Sequence, residues 1–339
     1  MTPISALAIE HPVPADVLRL CRRVFGAGAA GRPVRLSGGQ HELYRINIGP
    51  EAAVLKIIKD GLGGAVRLDA AAALRRETRA RGLFAPGIPI PSLLFQGRIR
   101  GSSRYLITRW ADGVPLSTVL LHRTAFPVET AFENAGALLG RLHAQSVAVD
   151  ERPGRIFSLA PAASLGFGAA DFLGRFAIAT APFRERFGGP LWDRVSAAIE
   201  GGLDACERVL VEVVLCHGDY QPKNLIFDDA GQLQALIDWE LAAFAPRLAD
   251  LAHLLRYAPS DALEDSLRQG YAANCPLPDA WTRAARCYDL ARVSLALSRP
   301  GVSDIPLWIE FIEGCVDALL RWDPQRLRQA CRGFLVRTA

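Results

Sequence analysis

Leu215-Cys216-His217-Gly218-Asp219-Tyr220-Gln221-Pro222-Lys223-Asn224-Leu225-Ile226-Phe227-Asp228, followed closely by Leu236-Ile237-Asp238-Trp239-Glu240, is the stretch whose reading decides the fold of this chain. The apolar runs Val213–Cys216, Leu225–Phe227 and Leu236–Ile237 read as short buried strands. They pin His217–Lys223 in a tight loop and set Asp238 at the end of the last strand. Two carboxylates and an amide, Asp219, Asp238 and Asn224, are therefore expected to converge on one small volume.

Each residue type suits phosphoryl transfer. A hydroxyl attacking a γ-phosphoryl group needs a nearby carboxylate to orient it and take its proton, and Asp219 is placed for that. Magnesium takes hard oxygen ligands in octahedral geometry and usually keeps several waters, so one carboxylate and one amide oxygen suffice beside the phosphates of ATP. Asp238 and Asn224 supply these. The plain alternative is a His-Gly-Asp turn with a strand-end cap at Asp238, against which stands the spread of the motif over two strands and their loops.

The segment resembles the catalytic and metal-binding core of the aminoglycoside phosphotransferase family, whose relatives include choline and homoserine kinases. The resemblance runs from about Arg35 to Ala252. It implies an α+β, bilobal protein-kinase-like fold: a small antiparallel-sheet lobe that binds ATP, residues 1–109, then a mainly helical catalytic and substrate-binding lobe, residues 110–339. It further implies Mg²⁺, ATP or GTP as phosphate donor, and a hydroxyl of a small molecule as acceptor. An antibiotic, in inactivation or self-resistance, is the leading acceptor class; a metabolic kinase of choline, homoserine or sugar type is the alternative. A protein kinase is opposed by Gly218 where those enzymes carry arginine, by Glu240 where they carry a permissive glycine, and by the lack of an Ala-Pro-Glu segment. A catalytically silent nucleotide-binding module is opposed by the presence of Asp219, Asn224 and Asp238 together.

Such a fold requires a nucleotide site in the N-terminal third. Arg35–Ile46 reads as strand, glycine turn, strand, and Ala53–Ile58 as the next strand, carrying Lys56. Of 39 basic residues only Lys56, Lys59 and Lys223 are lysine. A lysine kept among so many arginines suits a narrow slot where a compact ammonium reaches the α- and β-phosphates and a planar guanidinium would not fit. Leu68–Phe84, rich in alanine, leucine and arginine, predicts a helix. In the family a glutamate at the distance of Glu77 pairs with the lysine; an i,i+4 surface pair with Arg81 is the other reading. Ser37-Gly38-Gly39 is a candidate phosphate cover, or simply a hairpin turn.

Farther along, Tyr105–Gly113 resembles the family's hinge, where backbone groups of Arg109, Trp110 and Ala111 would meet the adenine edge. Asp250, in Pro246–Ala252, resembles the aspartate that braces the catalytic loop through its amides, with a helix N-cap as the alternative. Gln221 stands where many protein kinases place a lysine facing the γ-phosphate. Lys223 substitutes for that charge or points to solvent. Helices are predicted over Ala15–Phe25, Thr130–Ser146 and Leu307–Leu320, strands near Ser92–Gln96 and Arg104–Thr108, and a loop over Glu151–Gly168. On Leu307–Leu320, Glu310, Glu313 and Asp317 recur at helical spacing near Trp281, Tyr288 and Trp308. With Glu240 they are the acceptor-contact candidates, for a cationic hydroxylated compound, unless they form a solvated helix face.

Composition agrees with these expectations. A chain of 339 residues, 50% hydrophobic and 22% charged, can bury a large core. The net charge of +4 is mild and spread among 35 acids, so no nucleic-acid partner is expected. No apolar run spans a bilayer and the start lacks the basic residues of a signal peptide, which predicts no membrane partner and a cytoplasmic protein. Seven cysteines without a Cys-x-x-Cys pair read as buried thiols. The histidines lack metal-ligand spacing, and His143 reads as a structural helix residue.

Overall fold

Alternation along one strand settles which way Lys56 points. The structure, a computed structural model, describes residues 8–9, 13–26, 32–36, 41–60, 69–83, 87–122, 125–145, 176–210, 213–298, 302 and 304–337. Strand β4 (Glu51–Ile58) lies in a six-stranded antiparallel sheet with β1 (Ala8–Ile9), β2 (Val34–Leu36), β3 (Glu42–Ile48), β5 (Leu93–Arg98) and β6 (Arg104–Arg109), in the order β1-β2-β3-β4-β6-β5. Successive side chains of a strand face opposite sides. Leu55 and Ile57 therefore join Tyr44, Ile46 and Ile107 against Val17, Leu20 and Cys21 of helix α1 (Ala15–Phe25). Ile58 and Leu106 pack on the other side against Ala70 and Ala73 of helix α2 (Ala70–Leu83). Lys56 shares that second side with Ile58, which aims it at α2.

Beyond Arg109 the chain is mainly helical, with two small antiparallel sheets. β7 (Val114–Pro115), β9 (Leu225–Phe227) and β10 (Leu233–Leu236) form one in the order β10-β9-β7, and β8 (Val213–Cys216) pairs with β11 (Ala243–Pro246) in the other. The residues 217–224 thus link two strands of different sheets, as do residues 237–242. The third strand of the opening motif starts earlier than the apolar run suggests and stops at Leu236, one residue short of Ile237. The reason is local: Asp238 adopts φ 70°, ψ 61°, a left-handed conformation that a strand cannot continue through.

The helices Val128–Ala144, Leu248–Leu255, Trp281–Leu297 and Ile305–Arg321 enclose the larger core, which includes Leu138, Leu142, Leu251, Leu290 and Ile312. Trp239 and Tyr220, both fully buried, tie the two loops of the motif into it. Among the described residues no helix is long and apolar enough to cross a membrane, and the six described cysteines are buried thiols without disulfides. The Ser37-Gly38-Gly39 turn and the loop expected over Glu151–Gly168 lie outside the described residues.

Candidate active site

Lys56 meets three carboxylates. Its Nζ lies 2.7 Å from Glu240 Oε2 and 3.6 Å from Glu77 Oε2, and it donates a hydrogen bond to Asp238 Oδ1. The Glu77 pairing follows from α2 crossing the face of β4 on which Lys56 stands. The competing Arg81 contact is also made, at 3.3 Å to Glu77 Oε1, so one carboxylate serves both cations. Burial alone would lower the Lys56 pKa, but Asp238, Glu77 and Glu240 outweigh it and hold it well above its usual value. Burial likewise acts to raise the Asp238 carboxyl, and the Lys56 ammonium overrides this, bringing it down to about 2. Carboxylate oxygens of Glu77, Asp238 and Glu240 lie within 4.8 Å of one another. Buried Glu77 and Glu240 and half-buried Asp238 gather hard oxygen donors beside one ammonium, a setting that suits a divalent cation.

The loop before β9 is held by different means. Asp250, fully buried, accepts hydrogen bonds from the backbone N–H groups of His217 (2.7 Å) and Gly218 (2.9 Å), with His143 Nε2 at 3.4 Å. Helix Leu248–Leu255 has Arg247 at its N-cap position, so Asp250 braces the loop and is not the cap. Gly218 sits at φ +82° with its backbone pressed on the next loop: a Cβ there would lie 2.2 Å from Leu241 O. Glycine is required by both conformation and space. His217 donates from Nε2 to Ile237 O (2.9 Å) and accepts from Asp219 N–H at Nδ1 (3.3 Å), which ties the loop to the stretch before Asp238.

Asp219 is thereby presented with both carboxylate oxygens gripped by neutral amides. Gln221 Nε2 donates to Oδ1 (2.6 Å), and Asn224 Nδ2 donates to Oδ2 (2.9 Å) and to the Asp219 carbonyl (2.8 Å). Lys223 Nζ stands 3.4 Å from Oδ2 and His253 Nδ1 3.7 Å from Oδ1. Because its nitrogen is engaged on Asp219, buried Asn224 keeps its oxygen for a ligand. That oxygen and the Asp238 carboxylate are the hard donors Mg²⁺ selects, so the residues present fit the ion.

A model of the phosphotransferase enzyme family matches residues 33–287, three quarters of the chain. The chain belongs to this family. It is a small-molecule phosphotransferase with the protein-kinase-like fold. No curated protein sequence matches it. Among solved structures it is similar to a choline/ethanolamine kinase family protein from Mesorhizobium loti, with TM-score 0.60 and 18% identity over 94% of this chain and 99% of that one. A thermostable mutant of aminoglycoside phosphotransferase APH(4)-Ia, in ternary complex with AMP-PNP and hygromycin B, matches with TM-score 0.59 and 18% identity over 92% and 99% of the two chains. Macrolide 2'-phosphotransferase MphH from Brachybacterium faecium matches with TM-score 0.56 and 18% identity over 94% and 97%.

Several expected contacts of this phosphotransferase are placed elsewhere. Glu240 does not face an acceptor. It is 6% exposed, with Oε2 2.7 Å from both His41 Nε2 and Lys56 Nζ, because the turn Trp239–Leu241 folds it under α2. Glu310 and Glu313 are exposed, on the side of their helix away from Phe311, Ile312 and Cys315, and Asp317 pairs with Arg194. No described contact joins the three to Asp219. At the hinge, Arg109 N–H donates to Ser92 O (2.9 Å) and Trp110 N–H to Ala52 O (3.1 Å), so neither is free for a base edge.

Sequence reasoning missed Tyr257 and His253. Tyr257 donates to Gln221 Oε1 (3.2 Å), which fixes the amide that grips Asp219. Asp250 and His253 stand at i and i+3 on one face of the helix Leu248–Leu255, a spacing that was legible, whereas Tyr257 lies in the turn past its end. His41, reaching Glu240 from the edge of β3, carried no such signal.

Proposed function

We propose that the chain transfers the γ-phosphate of ATP or GTP to a hydroxyl of a small molecule, with Mg²⁺, in the cytoplasm. The observation that carries this reading is the pairing of Lys56 with Asp238 and Glu77, together with the loop that presents Asp219 between Gln221 and Asn224 and is tied through His217 and Asn224 to Ile237, next to Asp238. In this reading Asp219 orients the hydroxyl and takes its proton, with Gln221 and Asn224 directing its oxygens. Asn224 and Asp238 hold the metal, which neutralises phosphate charge. Lys56, steadied by Glu77, positions the phosphates. Residues 1–109 form the nucleotide lobe, with Ser37, Gly38 and Gly39 as phosphate cover and the hinge near Ala111. Residues 110–339 carry the catalytic loop and the acceptor site.

The biological role we favour is inactivation of an antibiotic, on likeness to proteins named for aminoglycosides and macrolides. A metabolic role is the second reading, supported by the comparable likeness to the choline/ethanolamine kinase family protein. Half-buried Tyr257, bonded to Gln221 and packed on Phe334, gives the acceptor an aromatic surface beside Asp219. The test is a mass-spectrometric screen of aminoglycosides, macrolides, choline, homoserine and sugars for a phosphate-sized gain, run beside Asp219→Asn. The reading expects one class to gain phosphate with the wild type, and the variant to lose turnover by orders of magnitude at near-normal Mg·ATP affinity. Near-normal turnover in Asp219→Asn would remove the base from its role.

A further inference from the structure

We propose that Lys223 is the cation that meets the transferring phosphoryl group, an inference that rests on the kinase reading above. Its backbone is fixed and its charge is not. Pro222 and Asn224 on either side are buried in a tight turn, with Asn224 N–H bonded to Gln221 O (2.9 Å), while the Lys223 side chain is 49% exposed on a flexible stem. The Nζ lies 3.4 Å from Asp219 Oδ2, looser than the roughly 2.8 Å of a charged hydrogen bond. Asn224 already orients that same oxygen at 2.9 Å. Asp219 therefore does not depend on Lys223 for its position, and Lys223 is able to leave it.

The charge has a reason to be there. The half-exposed ammonium already borders the proposed base, 3.4 Å from Asp219 Oδ2. Gln221 cannot fill this role, being neutral and bonded at both ends, to Asp219 and to Tyr257. In a chain with 39 basic residues and three lysines, Lys223 is one of the two lysines that pair with a cleft aspartate, Lys56 being the other. A compact ammonium on a swinging stem, unlike a guanidinium fork, moves between two oxygens without a fixed plane to satisfy.

The chemistry moves the ammonium at the right moment. The acceptor oxygen attacks the γ-phosphorus, and the bond from that phosphorus to the β,γ-bridging oxygen breaks, its electron pair leaving on ADP. The hydroxyl proton passes to Asp219. Charge spreads over the three equatorial oxygens of the group in flight. The ammonium, already beside Asp219 on a flexible stem, meets the charge on those equatorial oxygens, and its tie to Asp219 weakens further as that carboxylate takes the proton.

The bland reading is an exposed ion pair, which contributes little. Calorimetry separates the two without knowledge of the acceptor, by comparing Mg·ADP with Mg·ADP plus aluminium fluoride, a mimic of the phosphoryl group in flight. Wild type is expected to bind the fluoroaluminate complex more tightly than Mg·ADP. Lys223→Gln should bind Mg·ADP normally and lose about a hundredfold of that gain, with a matching fall in kcat and little change in KM for ATP. Lys223→Arg, which keeps the charge, should fall between. Full fluoroaluminate tightening in Lys223→Gln, or none in a wild type that binds Mg·ADP, overturns the inference and leaves the kinase reading intact. A wild type that binds no Mg·ADP overturns the kinase reading, and the inference with it.

Discussion

The cluster around Lys56 and the loop around Asp219 hold carboxylates in opposite ways. At Lys56, Asp238, Glu77 and Glu240 crowd one buried ammonium, and charge balances charge. Around Asp219 the grip comes from neutral amides, Gln221 and Asn224, while the nearest cation stands off at 3.4 Å on a half-exposed stem. The difference matches the tasks. In the proposed reaction Asp238 holds a metal, and a full-charge partner that keeps its carboxyl at about 2 suits that role. In the proposed reaction Asp219 takes a proton, and amide donors orient its oxygens without spending a full charge on them.

The largest test of this contrast removes the shared ammonium. Lys56→Met takes the ammonium from Asp238, Glu77 and Glu240, leaving Glu77 only Arg81 and Glu240 only His41, and is expected to lower unfolding stability by about 3–5 kcal/mol, read from the denaturant midpoint. Adding Glu240→Gln should recover part of it, and an unchanged midpoint in the single variant would mean water already screens the cluster. On the loop side, Gly218→Ala forces a side chain into a left-handed position against Leu241 O. The conformation alone costs about 1–3 kcal/mol, and turnover should fall further because the loop must shift off Asp250.

Smaller effects probe the neutral grip. Gln221→Leu removes the donor to Asp219 Oδ1 and strands the Tyr257 hydroxyl, so kcat should fall about tenfold, or about 1.4 kcal/mol, with Mg·ATP affinity kept. An equal loss of nucleotide affinity would show that Gln221 supports the fold more than the base.

The smallest effect is a pH slope from His253. Burial first, then Arg292, Arg256, Lys223 and His217, hold its pKa well below the 6.5 of an ordinary histidine. As pH falls below that value the unfolded chain takes the proton first, so its share of stability is complete above about 6.5 and is lost on acidification, by at most about 1.4 kcal/mol per pH unit. Denaturation midpoints at about pH 7.5 and about pH 5.5 should fall less on acidification in His253→Gln than in the wild type. Equal falls would place the sensitivity elsewhere.

Sequence alone determined the fold class and the strands around His217–Asn224, and it put Asp219 beside Asn224, because strand period and short loops leave those side chains few places to go. It also located Lys56 on a strand and Glu77 on a helix, since both are local patterns. Tertiary structure alone decided how the charges divide. Glu240 follows Asp238 by two residues, yet the left-handed turn at Asp238 buries it beneath Lys56 and beside His41, a partner 199 residues away. The helix at Glu310, Glu313 and Asp317 repeats acids at the right spacing, but periodicity defines a face without saying what that face meets, and here its acids point to solvent and Arg194. Hydrogen bonds such as Tyr257 to Gln221 depend on how two distant elements pack, and packing is a property of the whole core, which no local window of the chain contains.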